Sequence, residues 1–148
     1  MKVIVVSGAR SNVGKTELAR ALCSLLPDAA RIKIGHHAYK PSGDAYFYPM
    51  GTGFQTIADE HGHARFLVIE SNRILEEITP ECLIYLAAND PKPSAELAMK
   101  KADIIRGESV SVAKISALAE RLECEEAVIE KIVELAGAMK GQKNNFEF

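Results

Sequence analysis

The chain has 148 residues, 47% hydrophobic and 26% charged, which suits one compact globular domain and is too short for two full ones. Its formal net charge of −2 gives no overall basic field, which argues against nucleic acid or an anionic membrane as the main partner. The apolar runs are far too short to span a bilayer.

In chain order, residues 2–7 form a β-branched apolar run, read as a strand buried on both faces. A helix is predicted over 14–26, with Leu18, Leu22 and Leu25 on one stripe and Pro27 after its end. Residues 31–35 read as a second strand. Residues 36–53 hold three glycines and two prolines without periodicity, and are expected to form a long loop, either functional or disordered. A third buried strand is expected over 66–70, a short helix over 74–78 and a strand over 82–88. Pro93 and Ser94 introduce a helix reaching Lys101, with Ser94 as its N-cap, and 103–106 reads as a last short strand. Two helices close the chain, one striped by Val112, Ile115, Leu118 and Leu122, the other by Val128, Ile132, Leu135 and Met139, both stripes expected to face the core. The single domain spans 1–140, with 141–148 a polar C-terminal tail expected to be frayed after Gly141. The first residues run from Met1-Lys2 straight into a strand, unlike a signal peptide. Cys23, Cys82 and Cys124 are odd in number and widely spaced, so reduced, structural thiols in a cytoplasmic protein are expected.

Strands alternating with helices imply βαβ units, a parallel sheet and a ligand site at the carboxyl ends of its strands. There the sequence reads Gly8-Ala9-Arg10-Ser11-Asn12-Val13-Gly14-Lys15-Thr16. This matches the phosphate-binding pattern G-x-x-x-x-G-K-[ST], with Ala9 in place of the first glycine, after a buried strand and before an amphipathic helix. Small residues let successive backbone N–H groups wrap phosphate oxygens, and the helix N-terminus adds partial positive charge. Lys15 is placed to reach β- and γ-phosphates, and the Thr16 hydroxyl to ligate Mg²⁺. Arg10 is read either as a contact to a partner subunit's phosphates or as a solvated loop-tip residue.

Glu70 ends a buried strand, beside this loop if the two strands are neighbours, where an acid can hold Mg²⁺-bound water or position an attacking one. Lys33 and Lys40 are candidates to meet anionic groups, and Asp44 is a candidate Mg²⁺-side carboxylate. His36, His37, His61 and His63 raise the question of a transition-metal site, but no fixed ligand spacing supports one.

The loop from Val6 to Thr16 resembles that of dethiobiotin synthetases and cobyrinate amidating enzymes. Lys33, His36-His37, Lys40-Pro41-Ser42-Gly43-Asp44-Ala45-Tyr46 and Val68-Ile69-Glu70 are more similar to the MobB family, nucleotide-binding accessory proteins of molybdopterin guanine dinucleotide synthesis. The motifs cover about the first 70 residues. Gly43 abuts Asp44, and Glu70 is followed by Ser71-Asn72 instead of glycine and an aromatic, both departures from the family pattern. The resemblance implies a three-layer P-loop NTPase fold with a mostly parallel sheet and helices on both faces. It also implies GTP binding with Mg²⁺, slow GTP hydrolysis, a homodimer and a guanylyltransferase partner. No Asn-Lys-x-Asp guanine-reading motif is present; Asn89-Asp90-Pro91-Lys92 has the wrong order. Two other readings stay open: an ATP-dependent ligase like dethiobiotin synthetase or an amidoligase, and a nucleotide-dependent metallochaperone or regulatory switch.

Overall fold

The structure, a computed structural model, describes residues 1–35 and 45–141. Six strands form one all-parallel sheet: β1 Lys2–Gly8, β2 Ala29–Gly35, β3 Ala45–Pro49, β4 Phe66–Glu70, β5 Cys82–Leu86 and β6 Ile104–Ile105. Their spatial order is β3-β2-β4-β1-β5-β6. Helices α1 Lys15–Leu25, α2 Phe54–Glu60, α3 Glu96–Lys101, α4 Val112–Leu122 and α5 Glu126–Ala138 cover the sheet, with 3-10 turns at Arg73–Glu76 and Pro93–Ala95.

Strand alternation divides the core into two apolar layers. Ile4, Val6, Val68 and Ile84 face α1, α4 and α5 through Leu18, Leu22, Leu118, Leu122, Ile129 and Ile132. Val3, Val5, Leu67, Ile69 and Leu83 face the other side, meeting Ile57 of α2, Ile74 and Leu75 of the 3-10 turn, and Ala98 of α3. The sheet is therefore sandwiched between two helical layers, which is why its central strands read as continuous hydrophobic runs. No described helix is long and apolar enough to cross a membrane.

Several expectations shift. Residues 36–53 do not form one loop: β3 pairs in parallel with β2, Tyr46 opposite Ile32 and Tyr48 opposite Ile34, and α2 follows it. Val112 is 80% exposed, so the α4 stripe begins at Ile115, and in α5 the fully buried positions are Ile129, Ile132 and Ala136. Ser94 caps no helix: Lys92 precedes the 3-10 turn, and the Ser94 hydroxyl instead accepts from Asn72 Nδ2 at 3.4 Å. Gly141 lies against the backbone of Asn12 and Val13. The three cysteines are free thiols, Cys82 buried and Cys23 and Cys124 half-buried.

Strand order places the candidate site. After β1 the chain crosses β4 to reach β2 with α1 on one face; after β4 it crosses β1 to reach β5 through the 73–76 turn on the other. Neighbouring strands whose connections leave on opposite faces open a crevice at their carboxyl ends. Here that crevice lies between β1 and β4.

A candidate anion site at the carboxyl edge of the sheet

Backbone geometry explains the residues of the 8–16 loop. Gly8 has no room for a side chain: a Cβ would lie 2.5 Å from Val13 Cγ2 and 3.1 Å from Lys15 Cδ, so the lysine stem runs over the glycine. Ala9 is fully buried and has no positive φ, which is why alanine serves at the formal first-glycine position. The left-handed positions are Asn12, φ 61°, and Gly14, φ 106°. Both residue types tolerate that region.

Backbone hydrogen bonds hold the start of the loop, but the N–H groups of its middle make none among the described residues. Asn72 brackets Gly8, with Oδ1 accepting from the Gly8 N–H at 3.1 Å and Nδ2 donating to the Gly8 carbonyl at 3.0 Å. The Ala9 N–H donates to Leu86 O at 3.1 Å, and the Ala9 carbonyl accepts from the Lys92 N–H at 2.7 Å. From there until Leu18 N–H donates to Gly14 O, no backbone N–H of residues 10–17 has an acceptor among the described residues. Gly14 caps α1 without a side-chain hydrogen bond. A run of unsatisfied N–H groups ending in a helix N-terminus is the arrangement that anions satisfy.

Side chains from neighbouring strand ends converge on this run. β1 and β4 are adjacent, with Val6 opposite Glu70, and β2 lies beyond, with Lys33 opposite Glu70. Glu70 is 3% exposed; its Oε1 accepts from Thr16 Oγ1 at 2.8 Å, and its Oε2 faces Arg31 Nη1 at 3.4 Å. Burial pushes the Lys15 ammonium below its ordinary pKa, Glu70 opposes that shift, and Lys33 and Lys92 add to it. Lys33 and Lys92 thus act electrostatically on Lys15, beside the buried carboxylate of Glu70. Lys92 Nζ also donates to Ser11 Oγ at 3.2 Å, and Arg10 is exposed at the loop tip.

Thr16 and Glu70 supply two hard oxygen donors 2.8 Å apart. That chemistry fits Mg²⁺, which takes one or two protein oxygens and completes its shell with water and phosphate. The Thr16 hydroxyl donates its proton to Glu70, so its lone pairs stay available. Asp44, His36, His37 and Lys40 lie outside the described residues. His61 is buried and sits 3.0 Å from the Tyr48 hydroxyl, which donates to Glu60 at 2.5 Å; His63 is exposed. Among the described residues, no three His, Cys, Asp or Glu side chains are grouped to hold a metal. A cleft of about 500 Å³ lined by Asp28, Ala29, Tyr46 and His63 lies at the opposite, amino-terminal edge of β2 and β3.

The structure therefore brings Gly8, Lys15, Thr16, Lys33 and Glu70 together. It adds Asn72, Lys92 and Arg31, which the sequence reading did not assign to the site. Asn72 carries a readable signal, a polar amide just beyond the strand that ends in Glu70. Lys92 and Arg31 carry none, because only the sheet order brings them near. Comparison of the chain with family models, with curated proteins and with solved structures returns no match in any of the three.

Proposed function

We propose that the 8–16 loop binds the phosphates of a purine nucleoside triphosphate together with Mg²⁺, and that the protein is a MobB-like, GTP-preferring accessory protein with slow hydrolysis. The observation that supports this best is the run of backbone N–H groups over residues 10–17 without an acceptor among the described residues, with Lys15 beside it. In this reading the N–H groups and Lys15 hold the β- and γ-phosphates, and Thr16 and Glu70 hold Mg²⁺. The bound ion supplies Lewis-acid charge neutralisation at the phosphates. Glu70, held by Arg31 and Thr16, keeps the Thr16 hydroxyl oriented. Lys33 and Lys92 neutralise phosphate charge from the flanks. Guanine preference, the homodimer, Arg10 as a cross-subunit contact and the guanylyltransferase client follow from the resemblance. Calorimetric titration with GTP and ATP, each with Mg²⁺, tests the reading; it expects GTP preference and loss of binding in Lys15→Ala. Clear ATP preference, or binding that survives Lys15→Ala, would count against it.

A second reading is favoured by Lys33, which acts electrostatically on Lys15 from the adjacent strand. A cation there also suits the carboxylate of a second substrate, as in an ATP-dependent ligase like dethiobiotin synthetase. Phosphate release stimulated by small carboxylic acids would support that reading, and no stimulation by any acid tried would remove its basis.

A further inference from the structure

Arg106 follows β6, and its backbone N–H extends the ladder to Tyr85 O at 3.0 Å. Its guanidinium joins three segments far apart in the chain. Nη1 donates to Val13 O at 2.5 Å and to Met139 O at 2.7 Å, and Nη2 donates to Ala87 O at 2.5 Å. Bonds from a charged donor are stronger than neutral ones, and the planar guanidinium fixes the directions of its donors.

The bond to Val13 bears on the loop's function. The peptide bonds of the described residues are all trans, so the Val13 carbonyl and the Gly14 N–H point in opposite directions across one plane. Holding that carbonyl on the guanidinium turns the Gly14 N–H away from Arg106, where it has no protein acceptor. The Val13–Gly14 peptide lies in the stretch between the two left-handed residues, Asn12 and Gly14.

The end of α5 braces the same stretch. A Cβ on Gly14 would lie 3.1 Å from Met139 Cβ and 3.2 Å from Gly141 N. Gly141 has φ 74°, and a Cβ there would lie 2.0 Å from Asn12 O. The approach therefore requires glycine.

We propose that Arg106 is a positioning residue that presets the Gly14 N–H for an anion, with residues 139–141 as its brace. The inference rests on the phosphate-loop reading and adds to it a residue two strands away from the loop. A loop that is competent only part of the time binds with an affinity reduced by that fraction.

The test compares wild type with Arg106→Met, Arg106→Lys and Gly141→Ala. Affinities for pyrophosphate, Mg²⁺-GTP and Mg²⁺-ATP are measured by calorimetry, well below each variant's urea midpoint. Arg106→Met is expected to weaken all three ligands by about tenfold or more, whatever the base, with Arg106→Lys and Gly141→Ala intermediate. A purely structural role would lower the urea midpoint and leave these affinities unchanged, and that result would overturn the inference. Should Arg106→Met not fold, wild-type affinity in both other variants would overturn it equally. A wild type that binds none of the three ligands would overturn the phosphate-loop reading, and this inference with it.

Discussion

Glu70→Gln separates the structural part of the site from its ligand-binding part. The substitution keeps the shape and an acceptor for Thr16 Oγ1 but removes the charge facing Arg31, which is 6% exposed. At 3.4 Å and an effective dielectric of about 20, the Coulomb attraction of the pair is about 5 kcal/mol. Removing one partner of a buried pair costs about 3–5 kcal/mol, because the other charge stays behind. The separation exceeds that of a well-made charged hydrogen bond, so the low end, about 3 kcal/mol, is expected. For a chain of this size that lowers Tm by about 6–12 °C. The loss should be largely restored by an anion, because the carboxylate that faces Arg31 and acts on Lys15 is then gone. Thermal melts with and without pyrophosphate, and with and without Mg²⁺, read both effects. Glu70→Gln should gain more from pyrophosphate alone than wild type does, and less from adding Mg²⁺. A variant as stable as wild type, with unchanged Mg²⁺ dependence, would refute the reasoning.

Gly8→Ala puts a methyl against Val13 and the Lys15 stem; a stability loss of about 1–3 kcal/mol by urea unfolding and weaker nucleotide binding by calorimetry are expected. The lowered Lys15 pKa has a definite sign: between its folded value and the ordinary 10.5 the unfolded chain binds more protons, so stability rises with pH across that window. Nucleotide binding favours the charged ammonium, so affinity should fall as pH rises through the same window and proton uptake should appear in calorimetry; Lys15→Met should abolish both trends. Burial pushes the Cys23 thiol up to about 11 from 9.0, so its alkylation at pH 8 should be about a hundredfold slower than that of an ordinary thiol by mass analysis.

The parts of this fold legible in sequence are those written by local periodicity. The runs of β1, β4 and β5 are apolar throughout because both faces are buried, and α1 and α4 show helical spacing. The edge strand β3 was not legible: Tyr46-Phe47-Tyr48 sits among prolines and glycines, and an edge strand covered less well than the centre shows weaker patterning. The Ser94 expectation failed because a 3-10 turn led by Pro93 starts the segment and leaves no helical N-cap for the hydroxyl to fill. In the site, Lys15, Thr16 and Glu70 were legible because strand-loop-helix and strand-end patterns are local. Arg31 and Lys92 were not, since nothing local in a sequence reports which strand ends the sheet order makes neighbours.

That sheet order also accounts for the site's charge. β1 lies between β4 and β5, so the loop after it is reached from one side by Glu70, Arg31 and Lys33 and from the other by Lys92. Arg31 faces Glu70, and Lys33 and Lys92 both act on Lys15. Burial is the main cause of the lowered Lys15 pKa, and repulsion from Lys33 and Lys92 adds to it. Tolerating that repulsion in the core-facing mouth of a loop with unsatisfied N–H groups makes physical sense where an anion removes both penalties at once. A ligand that binds only the folded state then stabilises it by about 2.7 kcal/mol at a hundred times its Kd. Under the proposed reading Mg²⁺ dependence is informative: a triphosphate would need the metal at Thr16 and Glu70, whereas a smaller anion would bind without it.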